Sequence, residues 1–159
     1  MGFIKFVIII AICIGVYFGY KQMSLIKVQT KELNRLRGLY SNQKWEEITK
    51  GYETFWKKYP EQKGVDKKNV SNAYQFIASD LHIKAISGDK SKYIESAQTY
   101  EKATEFGKLN EASLIDQCDN YLTLKKYDKA KEIIKEAKDR SDINERRFKT
   151  YQMRIKRKF

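Results

Sequence analysis

One proline, one histidine, two cysteines and eight glycines are all that this chain of 159 residues holds of those types. Each scarcity excludes something. Proline and glycine supply the special backbone angles of tight turns, so a sheet-rich fold with many turns is disfavoured. Cys13 lies in a hydrophobic stretch and Cys118 far away in a polar one, which leaves no disulfide framework and no paired-cysteine metal site. His82 stands alone, so a histidine-rich metal centre is excluded as well. The GxSxG, P-loop, GxGxxG and HExxH patterns are all missing. Most acidic residues lie near a lysine at helical pairing distance. Asp116 and Asp119, three apart on one helix face, form a carboxylate pair of a kind frequent by chance. The chain therefore reads as a non-enzyme with no catalytic residue, no metal and no cofactor.

What is abundant suits helices: Lys, Glu, Ala, Leu, Ile and Gln dominate. The formal net charge of +12 favours anionic partners in general. The expected fold is all-α, in three parts: an N-terminal transmembrane helix over residues 1–24, helical hairpins over 25–141, and a basic amphipathic helix over 142–159.

The first part rests on residues 6–20, which carry no charge. Extended to Phe3, with Lys5 snorkelling, the stretch spans roughly 27 Å as a helix, close to the ~30 Å hydrocarbon core. Tyr17, Phe18 and Tyr20 precede Lys21 as interfacial aromatics and a basic flank would. A cleaved leader fits less well, because cleavage after Gly19 would place bulky Tyr17 where a small residue is needed. Ala11, Gly15 and Gly19 are four apart and would give the anchor a packing face, for self-association or for a partner membrane subunit. Lys21, Lys27, Lys31, Arg35 and Arg37 outweigh Lys5, which places the rest of a single-pass protein in the cytoplasm. The basic character of the whole chain keeps the exported side open.

Leu25, Val28, Leu36 and Leu39 continue a helical stripe with no break from the preceding stretch. Pro60 ends a helix. Val70, Tyr74, Ile77 and Leu81 predict another from about Val65 to Ser87, stopped by Gly88-Asp89. A further pair flanks Lys125-Lys126, and Asp142 is placed to cap a last helix. Within these helices one spacing recurs. Trp45, Ile48, Tyr52 and Phe55 lie at steps of 3, 4 and 3, as do Tyr93, Ser96, Tyr100 and Ala103, and Tyr127, Ala130, Ile134 and Ala137. The starts are 48 and then 34 residues apart. Helix pairs too small to bury their own faces must stack on one another.

The 34-residue spacing and the YxxAxxxxxxA phrase at Tyr127–Ala137 resemble the tetratricopeptide repeat family, as do TYEKA at Thr99–Ala103 and YETFWKKYP at Tyr52–Pro60. The resemblance covers about Gln29–Lys138, with residues 142–158 as a capping helix. The second repeat departs by about three inserted residues after Gly88-Asp89 and by Ser96 where alanine is usual. The first helix of the first repeat matches poorly. The resemblance implies about three helical hairpins whose first helices line a concave groove for a partner protein. By position, Arg37, Tyr40, His82, Asp119 and Thr123 would face that groove, each with an ordinary surface or half-buried role as its alternative. Cys118 would be a small buried thiol between helices.

Residues 145–159 hold seven Lys/Arg against one Glu: Arg146, Arg147, Lys149, Arg154, Lys156, Arg157 and Lys158. Phe148, Tyr151, Ile155 and Phe159 give the segment an apolar face. It reads first as a repeat cap, then as an anionic-lipid surface, and least as a nucleic-acid patch, since no nucleic-acid fold accompanies it. Two functions from different classes follow. One is a membrane-anchored adaptor that binds a protein partner. The other is a structural subunit of a larger membrane complex, homo- or hetero-oligomeric through the anchor.

Overall fold

Local chemistry sets where the helices stop. Tyr59, kept out of the helical region by Pro60, ends α2 (Trp45–Lys58). Three other helices end in one and the same way: α1 (Gly2–Ser41), α3 (Lys67–Ile86) and α5 (Glu111–Thr123). After each, a residue with positive φ donates its N–H three residues back, and the next donates five residues back. The residues are Gln43 to Tyr40 with Lys44 to Leu39, Gly88 to Ala85 with Asp89 to Lys84, and Lys125 to Leu122 with Lys126 to Tyr121. This is the Schellman closure, which satisfies the last carbonyls of a helix. Gly88, at φ 129°, sits where only glycine is at ease. The second helices then begin: α2 at Trp45, α6 (Tyr127–Lys138) at Tyr127, and α4 (Lys92–Thr104) later, after the inserted residues. A short 3₁₀ turn at Glu145–Phe148 leads into α7 (Lys149–Lys156).

The computed structural model describes the backbone of residues 2–157 and the side chains of residues 14–157. Among the described residues there is no strand. The helices form three antiparallel pairs, each packed on the next, with α3 also touching α5 and with α7 against α5 and α6. The residues of the recurring spacing are the glue. Ile48, Tyr52, Phe55, Tyr100, Ala103, Ala130, Ile134 and Ala137 are all buried, facing Leu36, Val70, Ala78, Leu114, Cys118 and Tyr121. Each large apolar side chain removed from water contributes about 1.5–3 kcal/mol. At the α1–α2 contact, a Cβ on Gly51 would run into the buried side chain of Leu36.

Two similar clamps join successive pairs. Glu53 on α2 accepts from the Tyr74 hydroxyl of α3 and from Lys102 Nζ of α4, both at 2.5 Å. Glu101 on α4 accepts from the Tyr121 hydroxyl of α5 at 2.8 Å and pairs with Lys129 of α6. Each lysine also lies over its tyrosine ring, at 4.9 Å and 5.4 Å from the centroid. Burial alone would raise the Glu53 carboxyl, but the bonds from Lys102 and Tyr74 outweigh it and hold it below the ordinary range. The Lys129 bond does the same for Glu101.

The structure corrects the expectation of a transmembrane helix. Among the described residues no helix is long and apolar enough to cross a membrane. α1 runs unbroken from Gly2 to Ser41. The apolar run within its described side chains is Ile14–Tyr20, roughly 10 Å of helix, and Lys21 follows at once. A span needs about 20 apolar residues, whereas the helix continues through Lys27, Lys31, Glu32 and Arg35. Gly15 and Gly19 are exposed and have nothing packed on them. Ala11 lies outside the residues whose side chains are described.

The last helix also differs from expectation. Asp142 caps nothing and instead pairs with Arg140 at 2.8 Å. Asn144 caps the 3₁₀ turn by accepting from Arg146 N–H, and α7 starts only after it. Phe148 and Ile155 are buried against the third pair. Arg147 bonds Glu111 and Arg154 bonds Asp119, so two of the basic residues tie the 3₁₀ turn and α7 to α5. Arg146, Lys149, Lys156 and Arg157 face solvent, and Lys158 is outside the described residues.

Candidate functional site

The first helices of the three pairs, α1, α3 and α5, enclose a groove of about 280 Å³ lined by Tyr40, Asn72, Gln75, Phe76, Ser79, Asn110, Ala112, Ser113 and Asp116. The helices present these side chains because their opposite faces are taken by the core: Ala73, Tyr74 and Ala78 on α3, Leu114 and Cys118 on α5. At one rim the half-exposed Phe76 ring stacks on Trp45, with centroids 4.4 Å apart and planes 11° apart. Tyr40 meets the same indole edge-on at 5.5 Å. Its hydroxyl accepts from Asn72 Nδ2 at 3.0 Å. Gln75 spans the gap between α3 and α5: its Oε1 accepts from Asn110 N–H at 2.9 Å. Asn110 in turn caps α5 by accepting from Ser113 N–H at 2.9 Å.

Asp116 is the one charged group in the lining. Its Oδ2 accepts from the Tyr100 hydroxyl at 2.9 Å and from Ser79 Oγ at 3.2 Å. Burial, and then the Asp116 charge and hydrogen bond, push the Tyr100 hydroxyl well up, so it stays a donor. Behind Asp116 lies a buried polar relay across three helices. His82 Nδ1 of α3 meets Asn120 Oδ1 of α5 at 2.8 Å. Asn120 Nδ2 donates to Ser96 Oγ of α4 at 2.8 Å, and Ser96 donates to the Ala78 carbonyl at 2.8 Å.

Of the residues that sequence position assigns to the groove, the structure places Tyr40 in its lining. Arg37 is held by Asp66 at 2.8 Å, which also accepts from the Tyr52 hydroxyl. His82 is buried in the relay. Asp119 turns toward α7 and pairs with Arg154 at 2.8 Å. Thr123 is exposed at the end of α5. Asp116 and Asp119, though three apart, thus serve different partners. The groove residues that position-based reading missed are Phe76, Asp116 and a set of small or amide-bearing residues: Asn72, Gln75, Ser79, Asn110, Ala112 and Ser113. Their only signal is that they sit on the first helices opposite the apolar stripe. Among the described residues, no group of three or more His, Cys, Asp or Glu could hold a metal ion.

Comparison with protein-family models, with curated proteins and with solved structures finds no match to the chain. Functional inference therefore rests on the geometry of the groove.

Proposed function

We propose that this chain is a tetratricopeptide-like scaffold that binds an extended segment of a partner protein in the groove of α1, α3 and α5. The observation that carries this reading is the lining itself. A stacked aromatic pair with an exposed Phe76 ring stands at one rim, and amides, hydroxyls and one carboxylate line the groove. Such a mix of apolar contact and a few fixed polar groups is what a peptide backbone and its side chains require. The three identical helix closures and the repeated clamps support the family likeness, because they recur from pair to pair as the units of a repeat array do.

The test is site-specific photocrosslinking in the full chain. A photoreactive phenylalanine analogue at Phe76 should capture a discrete partner, while the same group at Gln98, exposed on α4, should not. Capture from both positions alike would instead favour the reading of the chain as a building block of a larger assembly. No capture from Phe76 under conditions where the chain is functional in its source would refute the groove reading.

A further inference from the structure

We infer that the groove receives a lysine or arginine side chain of the bound segment, which pairs with Asp116. This rests on the reading of the groove as a binding site and names the chemistry it selects. The inference comes from the partners that half-buried carboxylates keep elsewhere in the chain. Asp66, Glu111, Asp119 and Glu32 have side chains 19–24% exposed, and they hold Arg37, Arg147, Arg154 and Lys58 respectively. Asp116 is 23% exposed, yet among the described residues no lysine or arginine lies within ion-pairing distance of it. Cations are not scarce, with 32 Lys and Arg against 20 Asp and Glu. A carboxylate that has lost part of its hydration is stabilised by a cation or by several hydrogen bonds. The Tyr100 and Ser79 hydroxyls serve Oδ2.

Oδ1 has less. His82 Nε2 lies 3.8 Å from it, beyond hydrogen-bond distance. Asn120 spends its amide N–H on Ser96, so its Oδ1 takes the proton of His82 Nδ1. At 3.8 Å the other nitrogen, Nε2, makes no hydrogen bond to Oδ1. The carboxylate keeps an unused acceptor at the edge of a groove whose other lining groups are all neutral. Phe76, braced by Trp45, supplies the second half of the site. Its exposed face suits the methylene stem of a lysine or the plane of a guanidinium.

The test uses the full chain and four dye-labelled peptide libraries, identical except for a fixed central Arg, Lys, Gln or Glu among neutral residues, with affinity read by fluorescence anisotropy. The Arg and Lys libraries should bind about tenfold more tightly than Gln, with Glu weaker still. The order of Arg and Lys between themselves says whether planar stacking or a point charge dominates. Asp116→Asn keeps acceptors for Tyr100 and Ser79 and should erase the preference, while Asp80→Asn, an exposed α3 residue, should keep it. In the unsubstituted chain the preference should shrink as salt rises. Equal affinity for all four libraries, lost on Phe76→Ala, overturns the inference and leaves the groove reading standing. Binding that ignores both Phe76→Ala and Asp116→Asn overturns both.

Discussion

Ser96 fills the place that Ile48 and Ala130 take in the other two copies of the recurring spacing, and its hydroxyl holds the relay behind the groove together. It donates to the Ala78 carbonyl and accepts from Asn120, both at 2.8 Å. Consider Ser96→Ala. The Ala78 carbonyl lies inside α3 and keeps its helical bond, so little is lost there. Asn120 is fully buried, and its amide N–H would be left without a partner. An orphaned buried donor costs about 1–3 kcal/mol. The better helix propensity of alanine returns at most ~0.5 kcal/mol. The net loss is therefore about 1–2 kcal/mol, which for a chain of this size lowers the melting midpoint by roughly 2–8 °C. Thermal and urea unfolding followed by circular dichroism would measure it. Asn120→Ala should cost more, because it strips both Ser96 and His82 and leaves a cavity. The double variant should lose less than the sum, by about 0.5–3 kcal/mol, since both changes break one network. A Ser96→Ala chain as stable as the original, or strict additivity in the double variant, would refute the account of the relay.

Three further outcomes follow. Phe148 is fully buried under the third pair, so Phe148→Ala should cost about 3–5 kcal/mol and release α7, seen as faster tryptic cleavage at Arg146, Arg147 and Arg154. The carboxyls of Glu53, Glu101 and Glu111 are held below their ordinary value of 4.5, so near that pH the folded chain binds fewer protons than the unfolded one. The stability they provide is complete at neutral pH and fades as pH falls through and below 4.5, to be checked by urea midpoints along a pH series. Burial, then the neighbouring Asp119 charge, push the Cys118 thiol up to about 12. Iodoacetamide at mildly alkaline pH should leave Cys118 unmodified in the folded chain and label it rapidly in denaturant, as peptide mass mapping would show.

The hairpins were legible in the sequence because their signal is local. Steps of 3, 4 and 3 from Trp45, Tyr93 and Tyr127 describe one helix face each, and that face is what the core consumes. Pro60 and Gly88 mark ends through backbone angles alone. The groove was less legible because its occupants are chosen by partners remote in sequence. Arg37 has the right register, but Asp66, just before α3, captures it. Asp119 and Asp116 share a helix face by spacing, and α7 draws one of them away. Asp142 looked like a cap, yet Arg140 is close enough to take it first. The transmembrane expectation was drawn from hydropathy over a stretch whose described part ends at Tyr20, where the same helix turns charged.

The clamps carry a consequence for how the molecule comes apart. Stacked helix pairs joined only by apolar contact can fray from either end, one pair at a time. Here Glu53 and Glu101 each hold a tyrosine and a lysine from the two helices of the next pair. Peeling away one pair would strand a carboxylate on one side and a cation and a hydroxyl on the other. Opening the contact between two pairs therefore costs the clamp as well as the apolar contact, which couples each pair to the next and favours melting of the three as one cooperative unit.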